Sequence, residues 1–283
     1  MKNQYYKNTH DRNFENFKYV YPVISRRSGG LSLGINLNPD KICNFGCIYC
    51  QVNRNQMSKH IVNLEILEQE LNIMLEMIQD NSLFLHERFQ NTDESKLVFK
   101  DIAIAGDGEP SVSKYLLETL QILQKFNKLF HIPKIVIISN ATGFQREKTK
   151  EAFKILALLN GEVWAKLDAG TQSYFETINQ YSTSINKIIK NIQDLNPQVK
   201  LQIQTCFMKV NQVLPSTEEI HQYGLRLKEI IDVRKVDTVQ IYTIARDPAE
   251  KYVDAIPLQK LKDICKPLHQ IDIQIDYYSG SAN

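Results

Sequence analysis

The sequence predicts an α/β fold with a mainly parallel sheet and helices outside it. Two observations carry this. Six strand-like segments rich in β-branched and aromatic residues alternate with helix-like segments. The helix-like segments place apolar residues at three- and four-residue steps. An open doubly wound sheet and a curled barrel both satisfy this pattern, and in either one ligands belong at the carboxyl ends of the strands.

The strand candidates, in order, are LSLGINL (31–37), LVFKDIAIAG (97–106), KIVIISNA (134–141), EVWAKLDAG (162–170), KLQIQTCFM (200–208) and TVQIYTIA (238–245). Most end at turn-forming residues. Between the first two, residues 63–80 carry Leu64, Leu67, Leu71, Leu75 and Ile78 on one helical face, with Asn63 placed to cap the start. Residues 113–130 show the same period, with Ser113 as the candidate cap. Further helices are expected over roughly 146–160, 184–195, 216–231 and 258–269. IDIQIDYY (271–278) alternates apolar and polar residues, as an edge strand does. Residues 1–30 lack a clear period and are expected to pack outside the sheet or over one mouth.

Composition agrees with a soluble globular protein, 43% hydrophobic and 23% charged over 283 residues. No apolar run reaches the length of a membrane span, and the polar start MKNQYYKNTH lacks a secretory h-region. A cytoplasmic location without a membrane partner is the expectation. Charge is uneven: residues 1–60 hold nine Lys/Arg against three Asp/Glu, and the remainder holds 25 against 29. An anionic partner and a merely solvated basic face are both compatible with that balance.

Five cysteines and no export signal argue for reduced thiols rather than a disulfide framework. Three of them, Cys43, Cys47 and Cys50, fall within CNFGCIYC. Clustered thiolates suit zinc or an iron–sulfur cluster. Structural zinc takes four closed ligands, whereas Cys206 and Cys265 sit inside strand- and helix-like segments and read as small buried fillers. Three thiolates on a 4Fe–4S cube leave one iron open to a substrate or cofactor.

This C-x3-C-x2-C motif, following the first strand of a βα series, resembles the signature of the radical S-adenosylmethionine (SAM) superfamily. The resemblance implies a partial (β/α)6 barrel whose 4Fe–4S cluster is held by Cys43, Cys47 and Cys50. It also implies SAM chelated at the open iron and split reductively, giving a 5′-deoxyadenosyl radical that takes hydrogen from a substrate. Tyr49, before the last cysteine, is then expected near the adenine. The core would span 31–250, with 1–30 an N-terminal extension packing on it and 251–283 a C-terminal helix and strand.

Later strand ends carry further candidates. In GDGEP, glycines allow close backbone approach and a carboxylate can meet a cationic amine. The block resembles the superfamily's glycine–glutamate motif at the SAM amino group, so Gly106, Asp107, Gly108 and Glu109 are cofactor candidates. SNATG supplies Ser139 and Asn140 as hydrogen-bonding groups for ribose or carboxylate, or alternatively a helix cap. Lys166 and Asp168 in KLDAG share one face of their strand, either toward SAM and substrate or as an ion pair. Gln202 and Gln204 share a face of the fifth strand, and Gln204 joins the cofactor candidates, with Tyr242 a lesser one. Gly30 and Gly34 are expected to let the first strand pass close to the cluster loop. No side chain is assigned a catalytic role.

YPVISRRSGGLSLGINLNPDKICNFGCIYCQ (21–51), GDGEP and VWAKLDAG together resemble one branch of the superfamily. Its marks are a Ser-Arg-Arg block, a Ser-Leu-Gly-Ile-Asn strand and Gly-x-Gly-Glu-Pro. It is distantly similar to wyosine-forming tRNA enzymes, but without a second cysteine cluster or a flavodoxin-like extension that substrate is not carried over. Arg26 and Arg27 offer bidentate donors for phosphate or carboxylate of a small-molecule or RNA substrate, or else form ordinary ion pairs. An electron donor such as flavodoxin or ferredoxin is implied. The competing readings are a tRNA-modifying radical SAM enzyme and a non-catalytic metal- or cluster-binding protein.

Overall fold

The computed structural model describes residues 14–52, 61–246, 248 and 250–280. Residues 1–13 and 53–60, within the basic first sixty, and the last three residues of the C-terminal extension lie outside the described residues. Its strands are β1 (Val20–Ser25), β2 (Gly30–Ile35), β3 (Phe99–Ile104), β4 (Ile135–Ser139) and β5 (Glu162–Lys166), then β6 (Lys200–Cys206), β7 (Lys209–Val210), β8 (Thr238–Tyr242), β9 (Val253–Asp254) and β10 (Ile275–Tyr278). Eight of them form one sheet in the order β1-β2-β3-β4-β5-β6-β8-β10. Only β1 runs antiparallel to its neighbour; the rest pair in parallel. The sheet curls into a half-barrel with helices around it. β7 and β9 form a separate small ribbon.

The helices are α1 (Leu64–Gln79), α2 (Ser82–Leu85), α3 (Leu116–Phe126), α4 (Glu147–Leu158), α5 (Gln172–Asn179), α6 (Ile185–Gln193), α7 (Thr217–Ile231) and α8 (Leu258–Ile264). Asn63 caps α1 as expected, accepting from the amides of Glu65 and Ile66. Ser113 does not cap α3. Pro110 opens a 3-10 turn over Pro110–Val112, which ends at Ser113, so the helix starts three residues later. α5 was not expected. QSYFETIN is short and rich in poor helix formers, and its start is fixed by Thr171, whose hydroxyl accepts from the Tyr174 amide at 3.2 Å.

Strand alternation explains the two faces of the half-barrel. Leu31, Leu33, Ile35, Ile102, Ile104, Ile137, Val163, Leu201, Ile203, Val239 and Ile241 are fully buried on the outer face. They share one core with Leu67, Leu71, Leu120, Phe153, Ile188, Ile192, Leu227 and Ile230 of the helices. At about 25 cal/mol per Å² of apolar area, this layer is the main stabilising contribution. The opposite face is polar, carrying Trp164, Lys166, Gln202, Gln204, Gln240 and Tyr242. Parallel strands buried on both faces normally read as apolar runs, so this polar lining marks the concave side as a place for chemistry.

Part of the N-terminal segment joins the sheet instead of lying outside it: β1 pairs with all of β2. Pro22 is tolerated there because β1 is an edge strand. Gly34 makes room for the Tyr21 ring, which occupies the space a β-carbon would take. Tyr21 Oη then donates to the Ala105 carbonyl at 2.9 Å. That close approach, rather than passage near the cysteine loop, is what Gly34 permits. Of the segment 271–278 only β10 (Ile275–Tyr278) is strand, an edge strand paired in parallel with β8. Among the described residues no helix is long and apolar enough to cross a membrane.

Candidate functional site

The cysteine loop follows β2 and lies across the carboxyl ends of the neighbouring strands. Each block singled out in the sequence meets it. After β3, the Asp107 amide donates to Asn36 Oδ1 at 3.1 Å, and Asn36 Nδ2 donates to Asp107 Oδ2 at 2.8 Å. Gly106 packs against the Asn36 side chain and Gly108 against the Ile42 carbonyl, so a side chain at either would push the loop away. After β4, Asn140 Nδ2 donates to Asn44 Oδ1 at 2.9 Å, and Asn44 Nδ2 donates to Thr142 Oγ1 at 2.7 Å. At the end of α5, the amides of Gly46 and Ile48 donate to the carbonyls of Asn179 and Ile178, both at 3.0 Å. α5 therefore supplies a contact that sequence periodicity did not reveal.

Several candidates make their polar contacts inside the protein. Glu109 is buried and accepts from the Ser111 amide at 2.8 Å, Ser139 Oγ at 2.5 Å and the Asn140 amide at 2.7 Å. Burial pushes its carboxyl above the ordinary range, while these donors pull it down. Glu109 thus ties β3 to β4 beneath the loop. Gln204 Nε2 donates to Gln240 Oε1 at 2.8 Å, while Gln204 Oε1 is buried without a partner among the described residues.

Asp168 is a hub. Its carboxylate receives Tyr49 Oη at 2.5 Å, the Cys206 amide at 2.8 Å, Asn179 Nδ2 at 3.3 Å and the Lys166 ammonium at 2.9 Å. Asn179 Nδ2 also lies 3.4 Å from Cys47 Sγ. Lys166 donates to Tyr242 Oη and sits over the rings of Tyr242 and Tyr49, at 4.6 and 5.1 Å. Burial pulls the Lys166 ammonium down, but Asp168 and Tyr242 outweigh it and hold it above its usual value. Lys166 and Asp168 are thus an ion pair, the structural alternative of the two that the sequence left open.

Tyr49, Cys50, Gly106, Arg26 and Arg27 meet around a cavity of about 240 Å³ that also reaches Cys206, Tyr242, Arg246 and Tyr278. Asp107, Gly108, Glu109, Ser139, Asn140, Lys166, Asp168 and Gln204 lie outside its wall. Arg246 was missed, although it follows the last long parallel strand just as the other blocks follow theirs.

The residues fit an iron–sulfur cluster by donor chemistry. Cys43, Cys47 and Cys50 are partly exposed thiols on a single braced loop, and soft thiolates select such a group. Burial, then Asp168, pushes the Cys47 thiol up to about 12, with the Asn179 amide pulling the other way. Among the described residues no three His, Cys, Asp or Glu side chains gather as ligands of one ion.

No protein-family model matches the chain. A UPF0026 protein of Helicobacter pylori strain J99 is 30% identical over 241 residues, 84% of this chain and 70% of the relative. Its counterpart in strain 26695 is 30% identical over 219 residues, 76% of this chain and 63% of the relative. Among solved structures, Streptococcus suis SuiB bound to S-adenosylmethionine superposes with a TM-score of 0.58 at 15% identity, covering 90% of this chain and 52% of that one. A radical SAM methyltransferase from Sphaerobacter thermophilus gives 0.60 at 10% identity, over 92% and 69%. The half-barrel is therefore the radical SAM fold, and by its sequence relatives the chain belongs to the UPF0026 family.

Proposed function

We propose that the protein is a radical SAM enzyme in which Cys43, Cys47 and Cys50 hold a 4Fe–4S cluster with one iron left for SAM. The observation that supports this best is the bracing of the three-thiol loop across the ends of β3, β4 and α5, where Cys50 and Tyr49 open onto the cavity. When bound and reduced, the cluster would supply the electron that splits the sulfonium of SAM.

The chain's own residues position and shield that chemistry. Asp168 anchors Tyr49, and Asn179 directs an N–H at Cys47 Sγ, a contact that stabilises a thiolate ligand. Gly106 lies at the cavity wall, where its backbone would face the SAM amino acid moiety, while its missing side chain makes room for Asn36. A flavodoxin or ferredoxin would deliver the electron. The test is anoxic iron–sulfur reconstitution followed by reduction with dithionite in the presence of SAM. The expected products are methionine and 5′-deoxyadenosine from the wild type and none from Cys47→Ala. An iron-loaded wild type that leaves SAM intact would refute the proposal.

A further inference from the structure

The cavity beside Cys50 is cationic. Among the described residues its wall carries Arg26, Arg27 and Arg246 and no aspartate or glutamate. Arg26 is partly committed: its Nη1 donates to the carbonyls of Ser279 at 2.7 Å and Gly280 at 3.2 Å. This links the turn after β1 to the segment after β10, the two edges of the sheet. Arg246 Nη1 donates to Gln51 Oε1 at 3.4 Å.

Arg27 is held differently. Its guanidinium carbon lies 5.1 Å from the centre of the Tyr242 ring and 5.7 Å from that of Trp164. Aromatic faces attract a cation without neutralising it. None of the ion pairs among the described residues involves Arg27. Burial, and then neighbouring Arg27, hold the Arg26 guanidinium below its usual value. Like charges gathered in one wall, Arg27 and Arg246 partly buried and Arg26 exposed, raise the energy of the empty cavity, and an oxyanion there relieves it. The planar guanidinium fork matches phosphate or carboxylate through two parallel N–H donors.

We infer that the substrate is a small molecule bearing an oxyanion, phosphate or carboxylate, which docks on Arg27 with Arg26 and Arg246 beside it. This rests on the radical SAM reading for the word substrate, but the binding site itself does not depend on the cluster. Cys50 and Gly106 line the same cavity, so a molecule anchored at Arg27 has its remainder within the space they bound.

The test uses the full chain without iron or SAM, so that a failure of cluster chemistry leaves it intact. Trp164 is the only tryptophan in the sequence, and Arg27 lies over its ring. Its emission is followed while inorganic pyrophosphate or succinate is added at constant ionic strength. A saturable change with either probe is expected, and the effective probe identifies phosphate or carboxylate as the group. Arg27→Gln should weaken binding about tenfold or more, and Arg27→Lys, which keeps charge but loses the fork, should weaken it less. Circular dichroism checks that both variants fold, and calorimetry on Trp164→Phe confirms binding without the optical signal. An identical response to matched chloride, or unchanged affinity in Arg27→Gln, would overturn the inference. Displacement of the probe by methionine would assign the site to the carboxylate of SAM and overturn it as well. So would a short RNA that binds there and resists displacement by pyrophosphate.

Discussion

Tyr49 Oη donates to Asp168 Oδ2 at 2.5 Å, joining the cysteine motif to the end of β5 across 119 residues of chain. The same carboxylate holds Asn179, the Cys206 amide and Lys166. This buried side chain thereby joins the braces from β3, β4 and α5 that hold the cysteine loop before any metal arrives.

Asp168→Ala should therefore destabilise the metal-free protein by about 3–5 kcal/mol, because it strands the Lys166 ammonium in a buried place. Urea unfolding measures this. Adding Lys166→Met to that variant should recover part of the loss, since the unpaired charge is then gone. A double variant no more stable than Asp168→Ala would contradict the ion-pair account.

Asn179→Leu removes the N–H directed at Cys47 Sγ while keeping the side chain's approximate size. Hydrogen bonds to cluster sulfurs raise reduction potentials by stabilising the added electron. Redox titration of the reconstituted variant, followed by electron paramagnetic resonance, should give a more negative midpoint than the wild type. An unchanged midpoint would show that this contact does not tune the cluster.

Gly34→Ala places a methyl group in the space of the Tyr21 ring. The expected loss is about 1–3 kcal/mol by thermal or urea unfolding. Tyr21→Leu in the same chain should reduce the penalty of the added methyl by opening that space. If the two substitutions are simply additive, the ring is not what demands glycine.

Cys265 is buried, and burial holds its thiol up to about 12; burial also pushes the Cys206 thiol well above its ordinary value. The thiolate is the reactive form, so at pH 8 burial leaves very little of Cys265 available. Iodoacetamide followed by peptide mass mapping should leave Cys206 and Cys265 unmodified in the native metal-free protein and modify both in denaturant. Rapid native labelling at either position would contradict their burial.

Much of the fold was legible because it rests on local periodicity. The leucines of α1, the capping residue Asn63 and the six alternating strands all follow from neighbouring residues in the chain. The cysteine spacing was legible for the same reason. The side-chain partnerships were not. Glu109 meets Ser139 thirty residues on, and Asp168 meets Tyr49 across most of the motif series; no local pattern encodes either pairing. The sequence set Glu109, Ser139 and Asp168 after strands, and it weighed mutual pairing against a ligand only for Lys166 and Asp168. β1 was hidden by its proline, which only an edge strand accepts, and α5 by its weak helix formers. Arg27 stood out as half of an arginine pair, yet its place against Trp164 and Tyr242 required the curled sheet.

The central claim is that three cysteines of this chain hold a four-iron cluster and leave one iron for SAM. It is tested most directly by Mössbauer and electron paramagnetic resonance spectroscopy of anoxically reconstituted protein before and after SAM is added. The account predicts about four irons per chain and a SAM-induced change at a single iron, both preserved in Cys206→Ala. A cluster whose spectra ignore SAM in the wild type, and respond to it only once Cys206 is removed, would show a fourth protein ligand and contradict the account.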